Sequence, residues 1–412
     1  MNKSRILPYV QLIVRKGLNL DPGQDVVVNA AVDQAEFVAL AVEECYRQGA
    51  RKVWMDWRCQ PLGLLDNRYG TVATLARLER WQLAKYAWRR DKLPAMLYLL
   101  SDDPDGLRGL DQAKRAKARR RSYPRIKPYV DAMENRYQWC IAAVPGRAWA
   151  RKVFPGLPPA MAVERLWDAI LAASRAEGDP IANWTEHNRV IKARCAALNR
   201  HRFARLVYHG DNGTDLTIGL MPEGRFLGGS ETDLSGREFE PNIPSEEVFT
   251  TPKRGVVEGT AVATRPLSWN GEIIDGFSVR FEGGKVAEVR AERGQALLEE
   301  MVRMDEGAAM LGECALIPCD SPIHNTGILF YETLFDENAA CHLALGRGFT
   351  NCVEGFETRT QEEMHALGVN DSMVHVDFMI GYEGLDIDGV KRNGRKVPIF
   401  RKGEWVGEFA TE

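Results

Sequence analysis

His375 and Asp377 stand in the apolar run MVHVDFMI, where the period-two alternation of a strand puts both polar side chains on one face. An imidazole and a carboxylate buried side by side are costly unless something pairs with them. A divalent cation is one such partner, and a mutual hydrogen bond is the other. Similar polar exceptions recur upstream. LFDENAACHLALG carries Asp336, Glu337 and His342 around an expected helix start, LGECALIP sets Glu313 in an otherwise apolar stretch, and SEEVFT sets Glu246 and Glu247 before two β-forming residues. Each carboxylate alone has an ordinary explanation: a strand-edge charge for Glu247, a helix-terminal or salt-bridged residue for Glu313, a first-turn residue favoured by the helix dipole for Glu337. Together they are too many polar groups in apolar contexts for independent coincidence. The chain has 7 histidines, so an imidazole-based site draws on a short list. No G-x-S-x-G occurs, and neither Cys314 nor Cys341 has a dedicated base beyond these histidines, which argues against a serine or cysteine nucleophile.

The elements that must position these groups fall into two styles. In the first part, Asp25 to Asn29 reads as a buried strand, Gln34 to Gln48 as an amphipathic helix ended by Gly49, and Lys52 to Trp57 as a second strand; the apolar runs Ala95 to Leu100 and Trp139 to Val144 repeat the theme. Strand, helix, strand predicts a parallel sheet covered by helices. Helical patterns follow over Ala162 to Ala176 and Asn183 to Asn199, and the turn at Gly178, Asp179 and Pro180 between them is the expected domain boundary, giving residues 1–179 and 180–412. Beyond it, short alternating segments are punctuated by Asn212-Gly213, Asn270-Gly271 and Gly283-Gly284, all hairpin signals. The expected fold is an α/β N-terminal domain followed by an α+β C-terminal domain rich in antiparallel sheet. Thr360 with Glu363 makes a capping box, and Gly368 closes that short helix.

The 412 residues carry 54 Lys plus Arg against 57 Asp plus Glu, a formal charge of -3, with 45% hydrophobic residues. This balance excludes intrinsic disorder and a dominant nucleic-acid or anionic-membrane partner. The basic cluster from Lys114 to Arg121 lacks interleaved aromatics and reads as a solvated helical face. Neither a signal peptide nor a membrane span is expected, because the N-terminal apolar residues are broken by Arg5, Pro8, Gln11, Arg15 and Lys16. The 8 cysteines include no CxxC pair, so a reducing cytoplasm is expected. Nucleotide binding finds no Gly-rich phosphate motif to support it.

The segments PSEEVFTTP, LGECALIP, SPIHNTGILFYETLFDENAACHLALG and HVDFMIG, in this order, resemble those of the thermophilic-type metalloaminopeptidases, the aminopeptidase T and aminopeptidase S family. The resemblance implies metal ligands at Glu247, Glu313, Glu337, His342, His375 and Asp377, with Glu313 bridging two ions. It also implies a cytoplasmic homodimer whose active sites face an enclosed space, and removal of N-terminal residues from peptides. Two divalent ions about 3.5 to 4 Å apart acidify a bridging water and polarise the scissile carbonyl. Four carboxylates offset two such cations, and oxygen with imidazole donors suits zinc, cobalt or manganese. Glu313 is a candidate general acid or base if one of its oxygens is free; Glu246 is a weaker one, since strand neighbours point to opposite faces.

One position departs from the family pattern: where a tyrosine usually stands, seven residues after the ligand histidine, this chain has Phe349. Losing a phenolic donor to the tetrahedral intermediate costs roughly 3 kcal/mol, or about a hundredfold in rate, if nothing substitutes. His324 stands where the family has a small polar residue and is assigned no role. Two alternatives to the peptidase are a mononuclear iron ring-cleaving dioxygenase, which needs fewer carboxylate ligands, and a catalytically impaired binding protein, motivated by Phe349.

Overall fold

Five parallel strands run side by side in the order Lys52–Arg58, Asp25–Ala31, Ala95–Leu100, Trp139–Ala143 and Asn242–Ile243. They belong to a computed structural model that describes residues 3–410. The helix Ala35–Arg47 packs on this sheet through Phe37, Val38, Ala41 and Cys45, which recur at helical spacing and are all buried. Gly49 ends it with φ of +92°, a left-handed conformation that costs a residue with a Cβ, and Ala50 N donates back to Cys45 O at 3.0 Å. The sheet and its helices form one compact unit, Met1–Glu186 with Ser230–Ser245, and this is the expected parallel α/β part. The basic cluster lies on the helix Gln112–Met133, capped by Asp111, whose side chain accepts from Lys114 N.

The second unit comprises His187–Gly229 and Glu246–Glu412. The turn at Gly178, Asp179 and Pro180 opens the helix Pro180–His201, within which the first unit gives way to the second. Its larger sheet is nine-stranded and antiparallel, with Arg205–Gly210, Asp215–Leu220, Pro252–Val262 and Glu272–Glu282 near its middle. The turns Asn212-Gly213, Asn270-Gly271 and Gly283-Gly284 join the hairpins the sequence predicts. A second, four-stranded antiparallel sheet has the order Val248–Thr250, Leu311–Leu316, His342–Gly346, Met379–His375.

This smaller sheet is two-sided. Residues directly opposite one another share a face, so Cys314, Leu343 and Phe378 form one row and Glu313, Ala344 and Asp377 the adjacent one. The first row is fully buried and apolar. Phe378 meets Phe277 of the larger sheet with ring centroids 5.8 Å apart, so the two sheets pack through their apolar faces. Burying each such aromatic side chain contributes roughly 1.5 to 3 kcal/mol, which fixes the register of the strands that carry the polar row. Among the described residues, no helix is long and apolar enough to cross a membrane.

Candidate metal centre

The polar row and the strand starts bring five of the six expected ligands into two overlapping groups. Glu247, Glu313 and His342 offer donor atoms within 4.8 Å of one another, and so do Glu313, His375 and Asp377. Glu313 belongs to both. Glu247 immediately precedes the strand Val248–Thr250, His342 opens its strand, and His375 and Asp377 lie two apart on theirs. The donors thus come from segments scattered between residues 247 and 377. Nε2 of His375 is 3.0 Å from Glu313 Oε2 and 3.2 Å from Asp377 Oδ1; Nε2 of His342 is 3.4 Å from Glu247 Oε2 and 4.0 Å from Asp377 Oδ1.

Space for a guest is built into the middle strand. On the polar face its residues after His342 are Ala344 and Gly346, opposite Asp377 and His375, so no bulky side chain fills the ground between the carboxylates. Gly346 has φ of +111°, and a Cβ there would meet Val374 O at 2.0 Å, so this position excludes every other residue type.

Both imidazoles are oriented through their other nitrogen. His342 Nδ1 donates to Glu337 O at 2.9 Å, and His375 Nδ1 donates to Arg347 O at 2.7 Å. Each ring therefore turns Nε2 toward the carboxylates, the arrangement by which backbone carbonyls fix the tautomer of a ligating histidine. Asp377 Oδ1 is buried and has no hydrogen-bond partner. An orphaned carboxylate oxygen amid two inward-facing Nε2 atoms is a donor set with unmet demand, and a cation meets it. The residues present therefore fit a metal.

Titration points the same way. Burial raises the Glu313 carboxyl to about 7, against the lowering effect of His375. Burial raises Glu337 well above the carboxylate range, with Asp377, Glu247 and Glu313 adding to the shift. Burial alone would lower the two histidines, but the Glu247 hydrogen bond and the charges of Glu313 and Asp377 lift His342 to about 9, and Asp377 with Glu313 lift His375 well above its ordinary value. Burial opposes ionisation of Asp377 too, yet the His375 charge outweighs it and holds this carboxyl at about 2. Protons occupy positions that cations would take.

Glu337 stays outside both donor groups, although its carboxyl interacts with Asp377. It lies in the 3-10 turn Glu337–Ala339 after the helix Thr333–Asp336. Asp336 turns away: its oxygens accept from Phe330 N at 2.8 Å and Glu332 N at 3.2 Å, a turn-forming role. Glu246 precedes the strand rather than lying in it, and its carboxylate comes within 4.0 Å of His187 Nε2 while Glu247 reaches His342. His324 pairs with Arg265 at 3.1 Å, apart from the cluster.

Phe349 flanks the site. Its ring centroid is 5.0 Å from that of His375 and 5.4 Å from that of Phe249, and its backbone exchanges two hydrogen bonds with Thr251 Oγ1. It belongs to a small apolar cluster with Phe249, Ala315, Cys352 and Leu227. The His375 side chain is 27% exposed, against 1% for His342, so solvent and solutes reach the cluster from the His375 and Phe349 side.

Sequence reasoning missed Asn338. It is fully buried, its Oδ1 accepts from Glu246 N at 2.7 Å, and its Nδ2 donates to Leu334 O at 2.8 Å and to Glu337 Oε1 at 3.4 Å. One amide thus ties the Glu247 segment to the Glu337 turn. The available signal was an amide side chain within an apolar run, flanked by Glu337 and Ala339.

Buried acidic and imidazole donors that converge with their tautomers fixed make a candidate metal centre. A family model described as thermophilic metalloprotease (M29) matches residues 2–405, and the chain belongs to that family. Aminopeptidase T of Thermus aquaticus is 41% identical over 398 residues, covering 96% of this chain and 97% of its own. Aminopeptidase AmpS of Bacillus subtilis (strain 168) is 37% identical over 402 residues, covering 97% of each chain. Among solved structures, wild-type AmpT from Thermus thermophilus superposes with a TM-score of 0.88 at 40% identity, covering 98% of this chain and 100% of its own. A 2,5-dihydroxypyridine dioxygenase from Pseudomonas putida KT2440 has a TM-score of 0.50 at 13% identity, covering 98% of this chain and 96% of its own. That likeness is one of fold alone and lends the ring-cleaving alternative no chemistry.

Proposed function

We propose that this chain is an aminopeptidase that hydrolyses the N-terminal peptide bond of peptides at a dinuclear metal centre held by Glu247, Glu313, Glu337, His342, His375 and Asp377. The observation that carries the reading is the sharing of Glu313 between two donor groups, which suits a carboxylate that bridges two ions. When bound, two divalent ions, zinc, cobalt or manganese, supply an acidified bridging water as nucleophile and polarise the scissile carbonyl.

The chain's own residues do the rest. Four carboxylates offset the charge of two divalent cations, so the loaded site carries little uncompensated charge. Glu313, shared by the two donor groups, would hold both ions with one carboxylate and so fix their spacing. The carbonyls of Glu337 and Arg347 hold Nδ1–H of His342 and His375, so Nε2 is the nitrogen that gives up its proton and ligates. Phe349 offers an apolar wall beside His375 and no hydroxyl for a developing oxyanion.

The assembly we propose is a cytoplasmic homodimer. All eight cysteines are free, which supports a reducing compartment. Trp54, Trp57, Leu62, Leu65, Tyr69 and Trp81 are each at least 45% exposed within a short stretch of chain, which supports a partner surface there.

Metal analysis with a parallel assay on leucyl arylamides tests the reading. Two ions per chain, activity abolished by a chelator and restored by divalent metal, are expected. A single iron, or hydrolysis indifferent to the chelator, overturns it.

A further inference from the structure

The second unit holds a half-open cavity of about 610 Å³, none of whose lining residues belongs to the metal cluster. It lies at one end of the nine-stranded sheet, where Arg205–Gly210 and Pro252–Val262 begin and Asp215–Leu220 and Leu385–Val390 finish. Hydrogen bonds from Ala204 N to Val390 O at 2.8 Å and from Leu220 N to Ala204 O at 2.9 Å tie these strand ends together. Its volume falls within the range of roughly 300 to 1,000 Å³ typical of small-molecule sites.

The lining has two characters. Phe203, Leu220 and Pro222 supply apolar surface, while Arg202, Lys253, Lys391 and Arg392 supply positive charge. Among the described residues, no carboxylate lines the cavity. Arg202 is paired with Glu354 at 2.7 Å, but Lys253, Lys391 and Arg392 form no ion pair among the described residues. Lys253 and Lys391 are also half-buried. His201 lines the same cavity, stacked on Phe203 with centroids 5.0 Å apart. Its Nε2 meets Glu408 Oε1 at 2.7 Å, whereas its Nδ1 is buried without a hydrogen-bond partner.

We propose that this cavity binds a small organic anion of the phosphate-monoester class. Three unpaired cations ask for more than one negative charge, and a tetrahedral dianion offers several acceptor oxygens to two ammoniums and a guanidinium at once. The apolar floor asks for a hydrocarbon or aromatic body attached to that anion. A simple carboxylate satisfies the second demand and only part of the first; inorganic phosphate satisfies only the first.

Titration calorimetry of the metal-loaded protein with phenyl phosphate tests this. One site per chain is expected, bound more tightly than either inorganic phosphate or benzoate. The double variant Lys253→Gln/Lys391→Gln should bind at least tenfold more weakly, while Lys285→Gln, which alters a lysine outside the cavity, should bind as the parent does. Phosphate held at the metal centre is indifferent to these substitutions, so equal affinity in parent and double variant overturns the proposal. Absence of saturable binding to the parent, or an equal loss in Lys285→Gln, overturns it as well. Vesicles containing phosphatidic acid form the second arm: capture of the protein by them, with no binding of free phenyl phosphate, would assign the cavity to a lipid headgroup instead.

Discussion

Glu313 and Asp377 flank Ala344 in a single row of the small sheet, so only a methyl group stands on that face of the strand between them. Ala344→Leu would fill that ground. Overpacking a buried site typically costs about 1 to 3 kcal/mol, so the fold should survive while divalent-metal binding is lost. Calorimetric titration with cobalt, alongside a thermal melt, checks both halves; undiminished binding would refute the placement of the ions.

Glu313→Gln keeps the side chain's shape but removes the charge shared by both donor groups. Loss of one ion and a fall of about a thousandfold in kcat are expected, the equivalent of about 4 kcal/mol. Metal content and initial rates on the same preparation decide the matter.

Asn338 positions ligand-bearing segments without touching the reacting atoms. Asn338→Ala should weaken metal affinity by about 10- to 100-fold, the usual effect of losing an outer-shell partner. Excess metal should restore most of kcat, which a general defect in folding would not allow.

Metal uptake should be proton-linked. His342, raised to about 9, and His375, raised well above its ordinary value, must each lose a proton to become ligands. Glu313, raised to about 7, must ionise as well. Glu337, raised well above the carboxylate range, must do the same. Affinity should therefore climb as pH rises from 6 to 9, with about three protons released per chain near neutrality. The metal-free protein should behave oppositely. Its raised groups favour the folded state at low pH, and that contribution fades as pH rises through the shifted values; Asp377, at about 2, loses its contribution only in strong acid. Calorimetry in buffers of different ionisation enthalpy, and melting of the apo form across the same range, report each sign.

Phe349→Tyr restores a phenol beside His375. A gain of up to about a hundredfold in kcat, with KM little altered, is expected if oxyanion stabilisation is what the site lacks. An unchanged kcat would show that another donor serves.

Leu62→Asp with Tyr69→Ser alters two residues that are 60% and 78% exposed. If this surface forms the proposed dimer, sedimentation should report a shift from dimer toward monomer, with the fold of each protomer retained because neither side chain contributes to a core.

Much of the fold was legible because the apolar patterns were local. The Val-rich run from Asp25 and the helix ended by Gly49 are set by neighbours in the chain, and so are the Asn-Gly and Gly-Gly hairpins. The site was legible in a different way. The pairing of His375 with Asp377 follows from alternation within one strand, but the meeting of Glu313 with Asp377 depends on the register of three strands, which no local pattern states. The position of Glu246 shows the limit of period-two reasoning, since the residue stands before the strand and its backbone direction comes from Asn338. The cationic cavity was illegible for a similar reason: Lys253 and Lys391 are far apart in sequence and meet only at the strand ends.

Because the cation-seeking groups are dispersed from Glu247 to Asp377, none of the segments holding them can bind tightly by itself. During synthesis the ribosome must release nearly the whole polypeptide before any ion finds a complete nest. Metal acquisition then becomes a late event that rewards only correctly folded copies, and a truncated product ending before Asp377 would be left with an incomplete donor set.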